Sequence, residues 1–161
     1  MEVAVLRLIH ISAGIMWAGS AIITGWFVIP AIREAGPQGG AVMRGIVARR
    51  LPQAALASGV VTILAGLRLY QLRFSMAWVW TLEGMALTLA LLVGLSALGL
   101  GMFVQRPTAT KLSALAAAGG PPSDEMKRLS DRLGRIGSAL AWHTTTLVLI
   151  MAGLRLIQSW S

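Results

Sequence analysis

The chain predicts an all-α fold, a four-helix transmembrane bundle forming a single domain over residues 1–161, and three observations carry that prediction. Hydrophobic residues make up 56% of the sequence and charged residues only 12%, a balance that excludes an ordinary soluble globule. Four apolar stretches are each long enough to cross a hydrocarbon core of about 30 Å. The charges avoid those stretches and collect between them. Backbone polar groups in lipid must be satisfied within their own segment, so the four stretches are read as helices.

The helices are expected near residues 3–32, 51–71, 77–104 and 124–158, joined by polar loops 33–50 and 105–123. Helix 1 opens Met1-Glu2-Val3, without the basic start of a signal peptide, and reads as a retained span. The Ala35-Gly36-Pro37-Gln38-Gly39-Gly40 run ends it. Pro52 suits the first turn of helix 2, where a missing N–H does no harm. A tight turn follows, and Trp78 and Trp80 mark where helix 3 re-enters the membrane. The Ala-rich third loop is expected to be the least ordered part. Ser123 caps helix 4, with Asp124 and Glu125 placed to suit its positive N-terminal dipole, and the helix is expected to run unbroken into the membrane.

The net charge of +8 does not point to nucleic acid, because ten of the fourteen basic residues fall in or beside loops 1 and 3. The positive-inside rule makes that side cytoplasmic, with both termini outside, and the expected location is a bacterial inner membrane. Ala65-Gly66-Leu67-Arg68-Leu69 recurs as Ala152-Gly153-Leu154-Arg155-Leu156. Two parallel helical hairpins would leave such an echo, and so would two helix ends facing the same demands. The chain has no cysteine, which excludes disulfides, Fe–S clusters and thiolate chemistry.

Chemistry is sought at the few polar residues expected within the membrane. His10 lies in the first span with Gly14 one turn deeper, and an imidazole there needs a partner, a ligand or a proton to handle. Arg7 is one turn nearer the end, Arg68 and Arg155 close helices 2 and 4 at that level, and Glu83 is expected at a depth similar to that of His10. Arg68 or Arg7 is the expected partner of Glu83. Two readings of Gly14 and its small neighbours stand side by side: close helix packing, or room for a flat macrocycle ligated by His10, with arginines at its propionates. His143 lies deeper, in Trp142-His143-Thr144-Thr145-Thr146, and is read as a hydrogen-bonded packing residue or a second ligand. Eight methionines raise copper, but they form no cluster and fill apolar space instead.

The run Leu6-Arg7-Leu8-Ile9-His10-Ile11-Ser12-Ala13-Gly14-Ile15-Met16-Trp17-Ala18-Gly19 resembles the opening helix of the HemJ-like and CopD-like four-helix membrane proteins. The resemblance implies haem b with His10 as its iron ligand, and membrane redox chemistry on a quinol, a porphyrin or another membrane redox protein. Where the family carries a lysine at the opening of the third helix, this chain has Glu83 in Trp80-Thr81-Leu82-Glu83. What carries over is therefore the haem ligand and not the protoporphyrinogen oxidase reaction. Two other functions stand beside this one. One is a cofactor-free accessory subunit of a larger membrane complex or homo-oligomer; the other is a transporter of copper or another small solute.

Overall fold

A computed structural model describes residues 1–36, 39–118 and 123–160, with side chains as far as Leu154. The described residues are helical almost throughout, and four helices are long and apolar enough to cross a membrane. The first span is α1 (Glu2–Ile23), a π-helical turn (Thr24–Val28) and α2 (Ile29–Glu34). After α3 (Gly39–Ala48) comes the second span, α4 (Leu51–Arg73), and then a single turn, α5 (Met76–Val79). The third span joins α6 (Leu82–Gly99), a second π turn (Leu100–Gln105) and α7 (Arg106–Ala117). The fourth lies in α8 (Asp124–Trp160).

Packing runs round a ring: α1 against α4, α4 against α6, α6 against α8, and α8 back onto α1. Small residues hold its centre. Ala18, Ala65, Ala90, Ala97, Ala141, Thr62 and Thr144 are buried, with Trp17, Ile136 and Leu140 completing the core. Large apolar side chains such as Ile15, Leu64, Leu92, Phe103 and Leu149 face outward, each at least 60% exposed. This inversion of a soluble core suits lipid, where helices associate by close packing of small residues and not by hiding large ones. The accessible surface is 10373 Å², against roughly 7,700 Å² expected of a compact soluble monomer of this mass.

Two contacts show why glycine stands where it does. A Cβ on Gly25 would sit 2.3 Å from the Gly137 carbonyl oxygen, so α1 and α8 meet backbone to backbone there. A Cβ on Gly59 would sit 3.0 Å from the Trp17 indole, which fills the α1–α4 seam.

The two π turns share a cause. Ile29 N–H donates to Thr24 O and Arg106 N–H donates to Gly101 O, each reaching back five residues. Both turns end two residues before a proline, Pro30 and Pro107. A proline ring crowds the carbonyl four residues earlier and offers no N–H to it, and a wider turn relieves both problems.

Several expectations are corrected here. The described parts of the loops at 33–50 and 105–123 are largely helical, because α3 and α7 occupy them, while residues 37–38 and 119–122 lie outside the described residues. Of the third loop, expected from residue 106 to 123 to be the least ordered part, residues 106–117 form a helix rich in alanine, the strongest helix former. The third span does not begin at residue 77: the chain turns at Trp80 and Thr81, and the Thr81 hydroxyl accepts the Gly84 N–H to cap α6. Ser123 does cap α8, accepting from Met126 N–H at 3.2 Å, and α8 runs unbroken from Asp124. Pro52 sits in the first turn of α4.

Candidate functional site around His10

His10 lies in the seam between α1 and α4, half-buried. Its Nδ1–H donates to the Thr62 backbone carbonyl at 2.8 Å. Two features of α4 admit the ring. Gly66, one turn on, has no side chain: a Cβ there would lie 2.8 Å from His10 Cε1 and 3.0 Å from Nδ1. The Thr62 hydroxyl turns away and donates to Ser58 O at 2.7 Å, leaving the Thr62 carbonyl open to the imidazole. A neutral histidine with Nδ1 committed as donor keeps its lone pair on Nε2, the arrangement in which a backbone carbonyl orients a metal-ligating histidine. The donor chemistry therefore fits an iron ligand.

Gly14, one turn deeper, faces Thr62 across the α1–α4 seam. A Cβ on it would make ordinary contact with Thr62 Cγ2 at 3.6 Å, so this narrow face of α1 is already covered by α4.

Glu83 does not join His10. It lies in the first turn of α6 and forms an ion pair with Arg73, a partner the spacing did not suggest. The Tyr70–Thr88 hydrogen bond, 2.8 Å between the two hydroxyl oxygens, sets the register of α4 against α6. From it, Glu83 stands about nine residues of rise beyond the His10 level, roughly 13 Å along the bundle. The cause is the turn at Trp80 and Thr81, which makes Glu83 a helix-end residue where a carboxylate suits the dipole. Arg68 pairs with Glu2, its Nη2 2.9 Å from Oε1, and both side chains are about half exposed. Arg7 is exposed and has no carboxylate partner among the described residues. The side chain of Arg155 lies outside the described residues.

His143 donates from Nδ1 to Ala139 O at 2.7 Å, one turn back in α8. Because Gly25 meets Gly137 and Ala141, the α1–α8 register puts His143 about eleven residues of rise from His10, on the order of 15 Å. The two imidazoles do not face one another across one site. Beside His143, Thr144 is fully buried and its hydroxyl donates to Leu140 O at 2.8 Å, whereas the buried Thr145 Oγ1 has no partner. Among the described residues no group of three or more histidine, aspartate or glutamate side chains gathers as a metal site.

Sequence reasoning singled out His10 but not its neighbours Thr62 and Gly66. Their signal was present as a Thr-x-x-x-Gly step on helix 2, but only the pairing of helices 1 and 2 gives it meaning. Compared with known proteins, the chain matches no family model, no curated protein and no solved structure.

Proposed function

We propose that this protein is a multi-pass membrane protein that binds haem b through His10 and serves electron transfer or a redox step within the bilayer. The observation that carries the reading is the Nδ1–H bond from His10 to the Thr62 carbonyl, which leaves Nε2 as a fixed lone pair. Haem b, if bound, would be held by His10 and would supply a one-electron redox couple. The chain's part is to orient the imidazole by the Thr62 carbonyl, seat it against Gly66 and offer Arg7 to a propionate. Arg68 would serve a second propionate only by leaving Glu2.

The same reading places the basic end in the cytoplasm and both termini outside, in a bacterial inner membrane, with the helices as two hairpins. Its support is the charge distribution. The end carrying Arg33 to Arg50 and Arg106 to Arg135 has ten basic and four acidic residues, and the other has four basic and two acidic.

A visible spectrum of the protein purified from haem-replete cells is the test. A Soret band with sharp α and β bands on reduction, lost in His10→Ala, is expected. A colourless, folded preparation overturns the proposal. That outcome is what the second reading expects, a cofactor-free subunit of a larger complex, and the packing of Gly14 onto Thr62 favours it.

A further inference from the structure

A different part of the molecule carries an inference that does not depend on haem. On the outer face of the first span, an apolar groove of about 420 Å³ runs from Ile15 past Gly19 and Ile23 to Val28. Thirteen residues of helix correspond to roughly 20 Å, long enough for most of an acyl chain. One wall near the basic end is formed by Ile46 of α3 and Leu51 of α4.

Between Ile46 and Leu51 in the chain stand Arg49 and Arg50, both exposed. Arg50 holds a left-handed conformation, with φ of 56°, in the turn between α3 and α4. Arg49 donates from Nη1 to Gly45 O at 3.1 Å, which closes the end of α3 and leaves most of its guanidinium donors free. The stretch from Ala35 to Leu82 contains no carboxylate. Neither arginine belongs to an ion pair among the described residues. α3 itself is amphipathic: Val42 and Ile46 line grooves against the first span, while Arg44 lies on the opposite face over Gly40. An amphipathic helix of this kind suits the plane of a membrane surface.

An apolar channel of acyl length, walled near the basic end by the two residues that bracket Arg49 and Arg50 in the chain, matches one chemistry. We propose that this groove is a binding site for an anionic glycerophospholipid, with one acyl chain along α1 and the phosphate held by Arg49 and Arg50.

Native mass spectrometry of the full chain in a mild detergent tests this with two lipids of identical chains, dioleoyl-phosphatidylglycerol and dioleoyl-phosphatidylcholine. The expected result is roughly tenfold or stronger preference for phosphatidylglycerol, abolished in the Arg49→Gln, Arg50→Gln double variant and kept in Arg44→Gln. Gly19→Leu, at a groove-lining position where a Cβ would meet nothing within 4 Å, is expected to weaken binding of both lipids by filling the groove. Equal binding of the two lipids overturns the proposal, as does a preference that survives the double variant. Arg44→Gln losing as much as the double variant would reduce the effect to diffuse charge and also overturn it. So would unchanged binding in Gly19→Leu, or inorganic phosphate alone competing the lipid away.

Discussion

A methyl group placed on Gly66 would lie 2.8 Å from Cε1 of His10. The imidazole therefore rests against bare backbone of α4 while it bonds the carbonyl of Thr62. One glycine makes the histidine's position possible, and that relationship is open to measurement.

Gly66→Ala is expected to force the imidazole off the Thr62 carbonyl and to cost about 1–3 kcal/mol of stability. Gly19→Ala is the control, since a Cβ there meets nothing within 4 Å, and it should be neutral or stabilising by up to about 1 kcal/mol. Thermal unfolding in detergent reads both. A Gly66→Ala protein as stable as the Gly19→Ala control would show that the seam yields.

Gly25→Ala is expected to be much worse. The obstacle is the Gly137 carbonyl, part of the α8 backbone, which has no rotamer through which to escape. A loss of roughly 3 kcal/mol or more is expected, seen as a collapse in the yield of folded protein. Retention of near-normal yield would mean that α1 and α8 stand further apart than described.

The Arg73–Glu83 pair is half exposed on its arginine side, so solvent screens it. A double-mutant cycle with Arg73→Gln and Glu83→Gln should give a coupling below about 1 kcal/mol. The corresponding cycle between His10 and Glu83 should be additive within about 0.5 kcal/mol, as for residues that do not touch. A large His10–Glu83 coupling would restore the neighbourhood their sequence positions suggested.

Thr144→Val and Thr145→Val should part in sign. The first removes a buried hydroxyl that bonds Leu140 O and should cost about 0.5–1.5 kcal/mol. The second removes a buried oxygen without a partner and should be neutral or stabilising by up to about 1 kcal/mol. Unfolding midpoints of the two variants settle the sign.

Much of the architecture could be read before any coordinates. Length and hydropathy placed four spans, because lipid imposes a single solution on the backbone. Ser123 and Pro52 marked helix starts, because caps are local chemistry. What stayed hidden depended on register between helices. Glu83 appeared level with His10 only while Met76 to Val79 was counted as part of the third span. Nothing in the segment around Gly14 reveals that it faces Thr62. α3 and α7 were taken for loops because their polar and small residues lowered the hydropathy, although alanine in α7 favours a helix.

The π turns before Pro30 and Pro107 have a geometric consequence. Each slips one additional residue into a helix of 3.6 residues per turn, so the side chains beyond it are rotated by about 100° from where an uninterrupted α-helix would put them. The buried positions keep their spacing through both turns, Ala18, Gly25 and Ile29 in the first span and Ala90, Ala97 and Thr108 in the third, so the direction in which the buried face points swings by about that angle. Each long helix is in effect two shorter ones, phased separately: one half keyed to the bilayer interior, the other to the basic end where Arg33 meets Asp131 and Lys111 meets Glu125.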